Sequence, residues 1–342
     1  MAIKALGERQ LEDTSVKGEG IITLKDLSDR AREFGTKWCD TVVDNSMGAQ
    51  FALNEQMQIV YSGTGGQRTA DLTDAALQQL CARIGGVPSG YIQKCAESGK
   101  TELAVSNFSA WAEDYRKPMM FREHDGVLRA ALTPKYERYD AWKILKELRY
   151  AVDEKRFEVA QAHLSPERFV ARFVDFTPLK IKGDSSDLFA GFSVSSSDVG
   201  DEGLKIVFFL YRFACRNGML IPTRSGVMYR ERHFGANMRM SKVSSFANVL
   251  NGVETLVEDI PGIIAAKQRS LSHDDLQRCL LMVKHQMKLS DKAADQVEAL
   301  IGTEYPRTEW GFMNAITEAA QQYSLERRTE LESYAGSLLF AK

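Results

Sequence analysis

Apolar residues recur along the chain at two spacings, and the spacing predicts the elements. In LTDAALQQLCARIGG (72–86), Leu72, Ala76, Leu80 and Ile84 return every four residues, Thr73 stands where an N-cap belongs, and Gly85-Gly86 supplies a stop. A second helix is expected in DAWKILKELRYAV (140–152), where Asp140 can cap and Trp142, Leu145, Leu148 and Val152 share a face. Both stripes read as core-facing surfaces. GIITL (20–24) and FALNEQMQIVYSG (51–63) read as strands, the second running into the turn Gly63-Thr64-Gly65-Gly66.

From about 165 to 232 the texture is β: RFVARFVDF, LFAGFSVSS, LKIVFFLYRFA, MLIP and GVMYRER, with SSDVGDEG as an acidic turn between the second and third. These segments suggest a meander or a set of hairpins. After Ser241 the period becomes helical. Phe246, Val249, Val253, Leu256 and Ile260 form a stripe cut by Pro261-Gly262, and Ser272 with Asp275 makes a capping box. Ser290 opens another helix ending at Gly302, and Trp310, Met313, Ile316, Ala320 and Tyr323 begin a last helical segment.

Lys205 to Ala214 is almost continuously apolar, which fits a central strand covered on both faces, and Asn217-Gly218 then offers the positive-φ pair of a tight hairpin. Past that turn Arg230 and Arg232 project from one face of a strand-like segment, with Tyr229, Glu231 and His233 on the other.

The expected fold is α+β, a central antiparallel β-sheet flanked by helices, with a helical C-terminal region. Its 342 residues divide into a mixed part at 1–240 and a helical part at 241–342, which can pack as one domain. No run approaches the roughly 18 apolar residues of a membrane span, and the start, MAIKALGERQLEDTS, lacks the apolar centre of a signal peptide. A cytoplasmic protein of a bacterial host, without membrane contact, is the expectation. The five cysteines are widely separated with no C-x-x-C pair, and the five histidines show no ligand spacing, so neither a metal nor a cofactor is expected.

Net charge is only −2, yet charge is segregated along the chain. Gly203 to Val243 holds eight basic residues against the single acid Glu231, whereas Asp184 to Glu202 holds five acids and no Lys or Arg. Guanidinium forks suit phosphate oxygens. Arg216, Arg224, Arg230, Arg232 and Arg239 are therefore the candidate phosphate contacts, with Lys205 and Lys242 at the margins and Tyr229 and Phe234 as base-stacking rings. Arginines on an edge strand also serve solubility and pair with acidic loops.

Enzyme signatures are weak, and the balance is against catalysis. GTGGQRT (63–69) lacks the lysine of a phosphate loop and reads as a plain turn. Cys215 beside Arg216, with His233 downstream, has the composition of a thiolate and its base, but a cysteine ending an apolar strand is normally core. Asp198, Asp201 and Glu202 have the composition of a Mg²⁺ site, which makes a metal-dependent hydrolase one alternative; a factor that engages a host protein is another.

Four stretches, LTDAALQQLCARIGGVPSGYIQKC (72–95), GVLRAALTPKYERYDAWKIL (126–145), FAGFSVSSSDVGDEGLKIVFFLYRFACRNGML (189–220) and WGFMNAITEAAQQYSLERRTELESYAGSLL (310–339), resemble a large family of phage- and plasmid-encoded proteins. That family is known as a domain of unknown function and called phage/plasmid-like proteins. The resemblance implies a mobile-element setting and carries no list of catalytic residues. Phage single-strand annealing proteins share the setting and a sheet-plus-helices build with a basic groove, an analogy at the level of fold. The function expected is nucleic-acid binding in phage or plasmid DNA metabolism, in single-strand handling or recombination. DNA is favoured over RNA, and a homo-oligomer or a host protein are further partners.

Overall fold

The computed structural model describes residues 23–63, 65–151, 157–180, 188–212, 217–221, 229–231 and 260–339. Helices and mostly antiparallel strands share them in an α+β fold, with the strands divided between two sheets.

The first helix, α1 (Leu24–Gly35), occupies the end of the stretch GIITL that the pattern assigns to a strand. Thr23 caps it, accepting from the backbone N–H of Asp26, whose carboxylate accepts in return from Thr23 N–H. This reciprocal box opens the helix at Leu24; residues 20–22 of GIITL lie outside the described residues.

The first sheet comprises β1 (Trp38–Val43), β2 (Phe51–Leu53), β3 (Ile59–Gly63), β4 (Gly66–Leu72), β5 (Met119–His124) and β6 (Val127–Leu132). Their order is β1-β5-β6-β4-β3-β2, antiparallel throughout except for β4 beside β6. FALNEQMQIVYSG is thus a hairpin and not one strand. The Asn54 carboxamide oxygen accepts from the N–H groups of Gln56 and Gln58 at 3.0 and 2.8 Å, and Met57 takes a φ of 61°, which reverses the chain. Between β4 and β5 run α2 (Asp74–Ile84), α3 (Ser89–Glu97) and α4 (Thr101–Ala112), whose apolar faces share a core with Phe51, Tyr61, Phe121 and Leu128. As the spacing predicts, Thr73 caps α2, accepting from Ala76 N–H at 3.2 Å, and Gly85 ends it at φ 75°.

Next comes α5 (Ala141–Ala151), which packs on α1; Gly35 lies directly against the indole of Trp142, where a β-carbon would come within 2.6 Å. The second sheet is a meander of β7 (Phe157–Leu164), β8 (Phe169–Leu179), β9 (Leu188–Ser196), β10 (Leu204–Arg212) and β11 (Asn217–Ile221), with β12 (Tyr229–Glu231) beside the start of β10. Strand β10 holds the buried position its composition predicts: Ile206 and Phe208 are wholly buried, and so are Leu210 and Val207 on opposite faces. Each such side chain contributes roughly 1.5–3 kcal/mol of transfer free energy. Beside it, Phe192 stacks on Phe173 at 4.9 Å, and Gly191 lets β8 and β9 close, because a β-carbon there would sit 1.8 Å from the Phe173 carbonyl oxygen.

Asn217-Gly218 is not the turn. Both residues lie in β11, opposite Arg212 and Tyr211, and the residues that join β10 to β11, 213–216, lie outside the described residues. This register sets buried Met219 opposite Leu210 on the core face, whereas a reversal at 217–218 would oppose Leu210 with Ser225.

The C-terminal helices are α6 (260–266 among the described residues), α7 (His273–Gln286), α8 (Asp291–Leu300), α9 (Glu309–Ala319) and α10 (Leu325–Leu338). Ser272 and Ser290 cap α7 and α8 as their spacing predicts. Ile260, Pro261 and Gly262 open the described part of α6, in which Ile260 and Ile264, one turn apart, are wholly buried; the residues before Ile260, on which a cut at Pro261-Gly262 depends, lie outside the described residues. The rest of that stripe, Phe246 to Leu256, lies outside the described residues. These helices share one core with α1, α5 and the second sheet. Among the described residues no helix is long and apolar enough to cross a membrane.

Candidate functional site

Of the nine residues assigned to nucleic-acid contact, Lys205, Tyr229 and Arg230 lie among the described residues; Arg216, Arg224, Arg232, Phe234, Arg239 and Lys242 lie outside them, as do Cys215 and His233. The pairing of β12 with β10 sets Lys205 directly opposite Arg230, while Tyr229 falls opposite Ile206. Cross-strand partners have β-carbons about 5 Å apart, and like charges so placed repel. Arg230 is exposed, Lys205 is half-buried, and neither has an acidic partner among the described residues. An anion bridging the two would relieve the repulsion.

On the other side of Lys205 the same row continues through Ser195, Val170 and His163. One row along that face, Arg172 is buried and closed over by α10: it donates to Glu332, which also accepts from Arg328 Nε at 2.8 Å, and to Gln161 Oε1 at 3.0 Å. On this face Arg172 is thus sealed under α10, whereas Lys205 and Arg230 remain accessible.

Among the described residues the three acids of the turn are spread apart in environment. Asp198 is buried, Glu202 accepts from Arg168 at 3.1 Å, and Asp201 is exposed. Among the described residues no group of three His, Cys, Asp or Glu is placed to hold a metal ion. Among the described residues Arg168, just before β8, and Arg122, on β5, meet the turn.

Arg122 is the residue that pattern reading missed. Strand β5 is buried at all six positions, although half of it is Arg-Glu-His; three ionisable groups closing an apolar run, MMFREH, were the available signal. The wholly buried guanidinium lies 4.4 Å from the Trp38 ring centroid, contacts Asp40 at 2.8 Å and Asp140 at 2.7 Å, and donates to the Asp198 carbonyl at 2.9 Å. Burial opposes its charge, and Asp140 and Asp40 outweigh that effect. Val199, next in the turn, is wholly buried with Met120, Ala130, Leu132 and Tyr136, and Tyr136 donates to the Ser197 carbonyl at 3.1 Å. The tip of the β9–β10 hairpin is therefore plugged into the face of the first sheet opposite α2–α4.

On that sheet's other face Arg68 donates to Glu123 at 2.9 Å and reaches the Cys39 sulfur at 3.0 Å. Burial raises the Glu123 carboxyl above its ordinary range. His124 lies tilted against Phe34 and edge-on to Trp38, and burial holds its imidazole below the usual value. GTGGQRT forms the β3–β4 connection, with Gly63 pairing to Gly66. Comparison with protein-family models, with curated proteins and with solved structures returned no match.

Proposed function

We propose that the chain binds nucleic acid, DNA in the metabolism of a phage or plasmid, through the accessible cationic row of the second sheet, and that it does so without catalysis of its own. The observation that carries this reading is Lys205 opposite Arg230 with no acidic partner among the described residues, in a chain stretch from 203 to 243 whose charge is strongly positive. The resemblance to phage and plasmid proteins supports the setting. A protein partner is the second reading, supported by Tyr91 on α3 and Leu103 and Trp111 on α4, large apolar side chains left exposed.

Fluorescence anisotropy with labelled single- and double-stranded oligonucleotides across a salt series separates the two. Affinity should fall steeply with salt, and Lys205→Ala/Arg230→Ala should flatten the log–log slope by about 1.4 on a single strand or about 1.8 on a duplex. Equal slopes from equally stable proteins would remove this row from the binding site. Absence of oligonucleotide binding at low salt would sink the reading altogether.

A further inference from the structure

Where the β9–β10 hairpin enters the first sheet, the Asp198 carboxyl goes in with it. The residue is 3% exposed, and its Oδ1 has no hydrogen-bond partner. Beside it, Arg122 Nη2 donates to Asp140 at 2.7 Å, and Asp40 lies 2.8 Å from Nε as an ion-pair contact without hydrogen-bond geometry. One buried cation thus faces three carboxyls, and in a desolvated joint a third negative charge is the least tolerable. The tip is otherwise firmly seated: Gln79 donates to the Val199 carbonyl at 3.0 Å, and Gly200, at φ 88°, leaves no room for a β-carbon against Leu132.

We propose that Asp198 is a proton-operated latch between the two sheets, seating the hairpin tip when its carboxyl is neutral and loosening it when the proton passes to solvent. This goes beyond nucleic-acid binding and does not depend on it. Burial first, then Asp140, push the Asp198 carboxyl up to about 8, against the pull of Arg122 and of the Ala141 N–H; Asp40 adds to the push. The other ionisable groups about the joint are Tyr136, kept neutral by burial, Arg138 on Asp40, Arg83 on the Ala131 carbonyl, Asp201 and the Arg168–Glu202 pair on the turn itself, and His124 beyond Trp38.

The signs of Asp198 and His124 are opposite. An acid whose folded pKa is raised contributes stability at low pH that is lost as pH climbs from its unfolded value, about 3.9, to its folded one. His124, whose pKa burial lowers, contributes stability that grows as pH climbs.

The test is urea unfolding of the full chain from pH 5 to 9, with hydrogen-exchange protection factors for residues 197–203, on the wild type, Asp198→Asn and Asp140→Asn. The latch predicts that the wild-type unfolding constant gains a component of about tenfold per pH unit up to about pH 8, absent in Asp198→Asn. Asp140→Asn should move the upper end of that window to lower pH, because a negative neighbour has gone. Protection of 197–203 should drop between pH 6 and 8.5 in the wild type and not in Asp198→Asn. Identical pH slopes in wild type and Asp198→Asn, or constant protection of the turn, would overturn the proposal. If Asp198→Asn fails to fold, the Asp140→Asn window decides, and an unmoved window rejects the latch.

Discussion

Arg172 on β8 and Glu332 on α10, 160 residues apart in sequence, close on each other as an ion pair in which both side chains are buried. Arg328 and Gln161 complete the arrangement. Glu332→Gln leaves the buried Arg172 guanidinium without its counter-charge and should cost about 3–5 kcal/mol in urea unfolding. Arg328→Gln, which leaves the Arg172–Glu332 pair standing, should cost distinctly less. Similar losses from both variants would mean that the helix end, not the pair, carries the effect.

Phe208 has no exposed surface and sits in the core between β9 and β11. Phe208→Ala should destabilise by about 3–5 kcal/mol, and Phe208→Asp should abolish soluble folding by placing an unpaired charge in that core. A soluble, cooperatively melting Phe208→Asp protein would contradict the burial of β10.

Lys205 faces Arg230 at a pair position where like charges repel. Lys205→Glu turns the repulsion into attraction, so it should raise stability by a few tenths to about 1 kcal/mol while weakening oligonucleotide binding. Chemical melts and anisotropy on the same preparation check both halves. Stability and affinity moving in the same direction would mean that the pair is not held for an anion.

The thiols should differ in reactivity. Cys81 is buried and burial pushes its pKa up to about 11, whereas Cys39 is half-exposed. Peptide mapping after brief alkylation at pH 7.5 should find Cys39 labelled well before Cys81. Equal labelling would mean that the α2 face of the first sheet opens on that timescale.

Much of the second sheet and of the helical C-terminus was legible because their signals are local. The apolar run of β10 and the capping serines Ser272 and Ser290 each act within a few residues, as does the glycine stop at Gly85 beside the first sheet. What escaped reading depends on distant partners. Arg122 is a core residue only because Asp40, Asp140 and the Asp198 carbonyl converge on it from three separate segments. Asn217-Gly218 has turn chemistry, but the register that buries Met219 moves the reversal elsewhere. Of the basic site, sequence spacing supplied the candidates, and only the β10–β12 register could show that Lys205 and Arg230 are neighbours.

The packing of α1 on α5, with Gly35 against Trp142, has a topological consequence. The chain leaves the core that α1 shares with the second sheet at Thr36, builds the whole first sheet with its three helices, and re-enters that core at Tyr139. Residues 36–138 therefore form an insert whose two ends lie beside adjoining helices of a host core. Such an arrangement tolerates exchange of the insert, because a short bridge between the two helices leaves the host's own connectivity intact. The first sheet is in that sense an accessory carried by the second, and the Arg122–Asp198 joint and the Arg129–Glu167 ion pair are places where the accessory grips its carrier away from the two points of attachment.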